Sequence, residues 1–245
     1  MTENTRTHVV ITGAASGIGL ATASHLAARG VALTLIDQAP MPPGFTGAQD
    51  LALQADVRSA RALAEAFAAG TERFGPPTGA VLSAGVLGPV GPLHEADIEA
   101  VRTTMEINLY GVLYGMREAL ARMVEQRTGS IVAVASAAGT VGFPTAAPYT
   151  ASKHAIVGLV KTCALDYAQA GIRVNAVAPG GVDTPLIRAT TCATPEGRAF
   201  IEGLHPVKRL AQPEEIATGI AFLLSEQASF ITGAVLPIDG GWTAQ

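Results

Sequence analysis

Seven short runs of aliphatic and β-branched residues alternate with longer, Ala-rich amphipathic segments, and this alternation restricts the 245-residue chain to few folds. A strand covered by helices on both faces is apolar on both sides, so it reads as a continuous apolar run. The runs are His8–Thr12, Val31–Ile36, Leu51–Ala55, Ala80–Ser83, Ser130–Ala135, Arg173–Val177 and Ala234–Ile238. Helices are predicted over Gly17–Arg29, Ser59–Phe74, Ala96–Glu106, Leu109–Gln126, Tyr149–Ala170 and Pro213–Leu224. The expected fold is α/β: a single-domain, doubly wound, Rossmann-type sheet of seven parallel strands with helices on both faces. One domain spanning residues 1–245 buries enough surface at this length. Pro237 cannot donate a ladder hydrogen bond, which puts the last strand at an edge.

Two segments read as irregular. Gln38–Asp50 holds Pro40, Pro42, Pro43, Gly44 and Gly47 and joins strand to strand without a helical pattern. The stretch from Gly180 to about Pro206 carries turn and cap residues (Gly181, Asp183, Thr184, Pro185, Pro195) after a strand end, where loops of this architecture carry function. A flexible flap over a substrate is expected at about residues 181–206.

Composition narrows the function classes. Charged residues make up 15% of the chain and the formal net charge is −4, with no Lys/Arg cluster, which argues against nucleic acid or an anionic membrane as partner. The uncharged stretch Thr128–Ser152 is broken by Gly139, Gly142, Pro144 and Pro148, so it does not read as a membrane span. Two cysteines, Cys163 and Cys192, make no disulfide framework, and the first eight residues show no signal-peptide core, so a cytoplasmic location is expected. No His or Cys pair, His94 and His205 included, has metal-site spacing, and no metal is expected.

The first strand runs into Thr12-Gly13-Ala14-Ala15-Ser16-Gly17-Ile18-Gly19 at the mouth of a helix. Glycines there allow a sharp turn and close backbone approach to a pyrophosphate, while N–H groups at the helix start face its charge. A glycine-rich turn alone is equally a tight strand–helix turn without a ligand. Asp37, ending the second strand twenty residues after Gly17, adds a carboxylate placed to accept from a ribose diol, although a surface Asp at a strand end is common. Asp37 repels a 2′-phosphate, and Ala14, Ala15 and Gln38 offer no compensating cation, so NAD(H) is the expected cofactor.

Tyr149-Thr-Ala-Ser-Lys153 begins thirteen residues after Ser136, at the end of the fifth strand. Positions i and i+4 share a helix face, setting an ammonium beside a phenol. Tyrosine titrates near ~10, so ionisation near neutrality needs about 3 units, roughly 4 kcal/mol. A charge about 5 Å away at an effective dielectric of ~20 supplies about 3.3 kcal/mol. Lys153 is therefore expected to lower the Tyr149 pKa. In isolation such a pair is most often a solvated helix face.

In this context the chain resembles the short-chain dehydrogenase/reductase family over essentially its whole length. Gly13, Gly17 and Gly19 match the family's TGxxxGxG loop, and Ile238-Asp239-Gly240-Gly241 its C-terminal pattern. The resemblance implies a catalytic tetrad of Asn108, Ser136, Tyr149 and Lys153, with Tyr149 as proton acceptor or donor, Ser136 on the reacting oxygen and Asn108 positioning a water. Asn108 also reads as a bend or cap. Cofactor contacts are expected from Gly13, Ser16, Gly17, Ile18, Gly19, Asp37, Asp56, Val57, Ser83, Ala84, Gly85, Tyr149, Lys153, Pro179, Gly180, Val182 and Thr184. Ser83 departs from the family's usual Asn; its shorter reach bears on the pinning of the central strands. Val86, Leu87, Ala138, Phe143, Leu186 and Ile187 are substrate-pocket candidates, though several also read as core.

The implied reaction is hydride transfer between NAD(H) and a neutral, fairly apolar or alicyclic secondary alcohol or ketone. The alternatives are an NADPH-dependent reductase of 3-ketoacyl groups on a carrier protein, against which Asp37 speaks, and a non-catalytic NAD-binding protein, which needs no tetrad. The resemblance also implies a homotetramer, built on the apolar faces of Leu109–Gln126 and Tyr149–Ala170 and on the last strand.

Overall fold

The computed structural model describes residues 7–45 and 50–244. Seven parallel strands form one sheet in the order β3-β2-β1-β4-β5-β6-β7. They are β1 (His8–Thr12), β2 (Ala32–Asp37), β3 (Asp50–Gln54), β4 (Gly79–Leu82), β5 (Gly129–Val134), β6 (Ile172–Pro179) and β7 (Val235–Ile238). Each expected run contains a strand, and boundaries move by one or two residues. β7, with Pro237, is an edge strand.

Alternate residues of each strand enter different cores, as the pleat requires. Val10, Leu82, Ile131 and Val174 pack with α2 (Ala60–Phe74), α4 (Gly111–Gln126) and α5 (Ala147–Tyr167) on one face, through Phe67, Met116 and Ile156. Val9, Ile11, Leu35 and Val132 pack on the other against α1 (Gly17–Ala27) and α8 (Pro213–Leu224), through Ala23, Ile216 and Ile220. The strand order reverses between β1 and β4, so the connections leaving their C-terminal ends diverge and open a crevice.

Two segments differ from expectation. The Gly180–Pro206 stretch contains two helices, α6 (Pro185–Ala189) and α7 (Pro195–Leu204). Thr184 Oγ1 accepts from Ile187 N and Thr194 Oγ1 from Gly197 N, so each Thr-Pro pair is an N-cap followed by a first-turn proline rather than a turn. The predicted break between Glu106 and Leu109 is also bridged. α3 (Ile98–Met105) continues through a π turn, Glu106–Tyr110, into α4. The other expected loop, Gln38–Asp50, has no helix among its described residues; Gly47 lies outside them. No helix among the described residues is long and apolar enough to cross a membrane.

Candidate active site

Two adjoining cavities open at the C-terminal ends of the strands. The first lies in the β1/β4 crevice and collects Gly13, Ser16, Gly17, Ile18, Gly19, Asp37, Asp56, Val57, Ser83, Ala84, Gly85 and Thr184. Its floor is tightly built. A Cβ on Gly13 would lie 2.7 Å from Ala84 N, and one on Gly19 would overlap the Gly13 carbonyl. Helices α2, α3, α6 and α7 begin with a side chain accepting from a first-turn N–H, whereas Ser16 makes no such bond to α1. The N–H groups opening α1 are thus left for an external acceptor, and the cradle fits a dinucleotide pyrophosphate.

Asp37 Oδ2 accepts from Ala15 N and Oδ1 from Ala39 N, each at 2.9 Å. These bonds fix the carboxylate on the cradle and leave each oxygen, at the crevice wall, capacity to accept one further bond, enough for a diol. Asp56 pairs with Arg58 at 2.6 Å, and that guanidinium holds its carboxyl below the usual range. No Lys or Arg lines this cavity among the described residues. Ser83 does pin the central strands: its hydroxyl donates to the Thr12 carbonyl at 2.6 Å, so the shorter side chain suffices.

The second cavity is mostly apolar and shares Ile18, Ser83, Gly85, Thr184 and Leu186 with the first. Ser136, Tyr149 and Lys153 meet on its wall together with Pro179, Gly180 and Val182. Ser136 ends the β5 run and caps a 3-10 turn by accepting from Ala138 N at 3.1 Å. Tyr149 and Lys153 lie one turn apart on α5, and Lys153 Nζ donates to the Val134 carbonyl at 2.8 Å.

The electrostatics depart from what spacing alone predicts. Lys153 Nζ stands 5.7 Å from the Tyr149 ring centroid, yet burial raises the phenol above its ordinary value, against a downward pull from its hydrogen bond with Ser136. Burial also brings the ammonium down to about 8. Burial of both groups thus opposes the charged pair that spacing alone predicts, and it, not the neighbouring ammonium, sets the direction of the Tyr149 shift.

Asn108 sits in the π turn with its side chain fully buried. Oδ1 accepts from Val86 N at 2.8 Å, and Nδ2 donates to Val86 O at 2.9 Å and Ser152 Oγ at 3.1 Å. Both amide hydrogens are engaged, so the expected water cannot be held by an Asn108 side-chain donor. The side chain clamps the segment after β4 to α5 through Ser152.

Ala138, Phe143, Leu186, Ile187 and Leu87 line the apolar cavity, as expected of a substrate pocket. Val86 does not. It borders the first cavity, with its backbone held on both sides by Asn108. Thr190, Thr191, Ile201 and Trp242, none of them expected from the sequence, also line the apolar cavity. Reading Pro195–Leu204 as a helix would have placed Ile201 on its buried face; Trp242, the only tryptophan, follows a Gly-Gly pair and has no periodic signal.

A Rossmann-type cradle abutting a Tyr/Ser/Lys cluster defines a dinucleotide-dependent oxidoreductase. The family model described as enoyl-(acyl carrier protein) reductase matches residues 13–243. The chain is 41% identical to cis-4-hydroxycyclohexanecarboxylate dehydrogenase of Sinomonas cyclohexanicum, over 96% of each chain. It is 39% identical to cyclohexanol dehydrogenase of Acinetobacter sp. (strain SE19), over 96% of this chain and 94% of that one. Among solved structures, ElxO with NADP bound superimposes with a TM-score of 0.92 at 30% identity, covering 98% of this chain and 100% of that one. The protein belongs to the short-chain dehydrogenase/reductase family, and it is an oxidoreductase of the alcohol/ketone type.

Proposed function

We propose that the protein transfers hydride between NAD(H) and a neutral, alicyclic secondary alcohol or the corresponding ketone. The observation that carries this reading is the lining of the second cavity: apart from Lys153, which is turned to Val134, it offers no charged side chain among the described residues. Arg188, the nearest basic residue in sequence to Leu186 and Ile187, is paired with Asp183 at 2.7 Å. A carboxylate such as the one in the first relative's name would find no cation here, whereas an unsubstituted ring matches Phe143, Leu186, Ile187 and Ile201. In this role Tyr149 takes the hydroxyl proton in oxidation and returns it in reduction, and Ser136 holds the reacting oxygen. Oxidised dinucleotide, when bound, supplies the hydride acceptor and a positive charge that favours the phenolate. Asn108 and Lys153 keep Tyr149 in register with the cleft.

The preference for NAD(H) rests on Asp37 and the lack of a cation around it. Michaelis constants for both dinucleotides with cyclohexanol test it: a lower value for NAD is expected, and a clear preference for NADP overturns it. A panel of cyclohexanol, cis-4-hydroxycyclohexanecarboxylate and linear secondary alcohols tests the substrate class. Cyclohexanol should be oxidised most efficiently; a preference for the carboxylate refutes a neutral pocket. The same reading places the enzyme in the cytoplasm as one domain with a moving α6–α7 flap. It assembles it as a homotetramer, which the exposed Leu165 and Leu113 of the two long helices favour and sedimentation tests.

A further inference from the structure

Trp242 takes no part in the proton-transfer cluster or the cleft, yet three elements converge to hold it. The chain leaves β7 through Asp239-Gly240-Gly241. The two glycines, with φ of 58° and 87°, reverse it so that the 3-10 turn Trp242–Ala244 folds back over the apolar cavity. Asp239 locks the reversal. Its buried carboxylate accepts from Gly241 N, Thr243 N and Thr243 Oγ1, and its carbonyl accepts from Trp242 N at 3.1 Å.

The indole then meets two rings edge-on: Phe143, from the segment after β5, at 5.7 Å between centroids, and His205, at the end of α7, at 5.6 Å. His205 is itself fixed. Gly181 N can only donate, so Nε2 accepts from it at 2.8 Å; the Ile201 carbonyl can only accept, so Nδ1 carries the proton across 2.7 Å. The indole is thus held from β5, α7 and β7 at once, which is the support a wall of fixed shape needs.

We propose that Trp242 is a specificity-determining residue: with Phe143 it bounds the apolar cavity and selects a ring-sized substrate over a short-chain alcohol. This rests on the alcohol/ketone reading above and adds the group that measures substrate size. One methylene in an apolar pocket is worth about 10–200-fold in kcat/KM. Trp242→Ala should therefore lower kcat/KM for cyclohexanol by at least about tenfold, mostly through KM, while 2-propanol changes by less than about threefold. Trp242→Phe should keep most of the discrimination.

A second measurement does not depend on turnover. Trp242 is the only tryptophan, so indole emission reports on this wall alone. Cyclohexanone titrated into enzyme saturated with oxidised NAD, a combination that cannot react, should change the emission saturably, and acetone at equal concentration should not. Parallel losses with cyclohexanol and 2-propanol in Trp242→Ala, or unchanged discrimination, overturn the proposal, as does unaltered emission. If wild-type enzyme oxidises no cyclic alcohol, the substrate reading fails, and the emission titration still decides the role of Trp242.

Discussion

Replacing Asn108 with alanine separates a clamp from a catalytic group. The substitution removes three hydrogen bonds, two to the backbone of Val86 and one to Ser152 Oγ, whose hydroxyl in turn donates to the Tyr149 carbonyl at 2.7 Å. At about 1 kcal/mol net per bond the loss is about 3 kcal/mol, and a buried group left unpaired adds to it. Val86 is only partly buried, so water can re-satisfy part of its backbone; about 2–4 kcal/mol brackets the result. Urea unfolding followed by far-UV circular dichroism at fixed protein concentration measures this, provided the slope stays that of wild type. Dinucleotide affinity should weaken as well, because the clamped segment borders the cleft. Asn108→Asp keeps the acceptor for Val86 N but sets a carboxylate against Val86 O, so it should be no more stable than the alanine variant. If Asn108→Ala unfolds within about 0.5 kcal/mol of wild type while turnover collapses, Asn108 is no clamp and its side chain acts on the chemistry.

Three further outcomes are expected. Tyr149→Phe should lower kcat by about 10²–10⁴-fold while the dinucleotide dissociation constant stays within about twofold, since only the proton-transferring hydroxyl is lost. Lys153→Met should abolish turnover yet raise stability at pH 7. Burial brings the ammonium from its ordinary 10.5 to about 8, a penalty on the order of 3 kcal/mol offset by about 1 for its bond to Val134. Between those two values the unfolded lysine holds a proton that the folded one has shed, so wild-type stability rises with pH and the variant's advantage fades; a Met variant less stable at pH 7 contradicts this. Glu215, held at about 2 by Arg209 and by Gln212 N, contributes about 0.5–1 kcal/mol after allowance for its exposure. That contribution is present above pH ~4.5 and is lost as pH falls towards 2, so melting curves of wild type and Glu215→Gln should converge on acidification.

How far the sequence reaches depends on whether a feature is local. The strands are legible because a strand buried on both faces needs a run like Val9-Val10-Ile11 whatever lies beside it. The cradle is legible because its glycines answer to local backbone approach, at Gly13 against Ala84 above all. Thr184-Pro185 and Thr194-Pro195 are locally ambiguous, since the same pair opens a turn or a helix, and the packing of Ile201 beneath Gly181 decides. The spacing of Tyr149 and Lys153 fixes their proximity but not their desolvation, and desolvation sets the sign of the Tyr149 shift. Trp242 depends wholly on where three distant segments end, and no period in the chain announces that.

The two cavities also divide the chain by function. Every residue lining the nucleotide cleft before Ile107 comes from β1 to β4 and their connections, and of this half only Ile18, Ser83, Gly85 and Leu87 reach the apolar cavity. The rest of the apolar cavity's lining comes from β5 onward, with the segments after β5, β6 and β7 supplying Phe143, then Leu186, Ile187 and Ile201, then Trp242. Those segments meet one another at Trp242, whose indole touches Phe143 and His205. Only Leu186 and Thr184 belong to both cavities from this half, and Thr184 packs its methyl where a Cβ on Gly17 would lie, at 3.1 Å. Helix α6 is thus tied to the cradle at Thr184 and turns Leu186 and Ile187 to the apolar cavity. The segments that line the apolar cavity, and not the cradle, are therefore where a neutral ring and a ring carboxylate, the substrates in the names of two relatives about 40% identical, would be told apart.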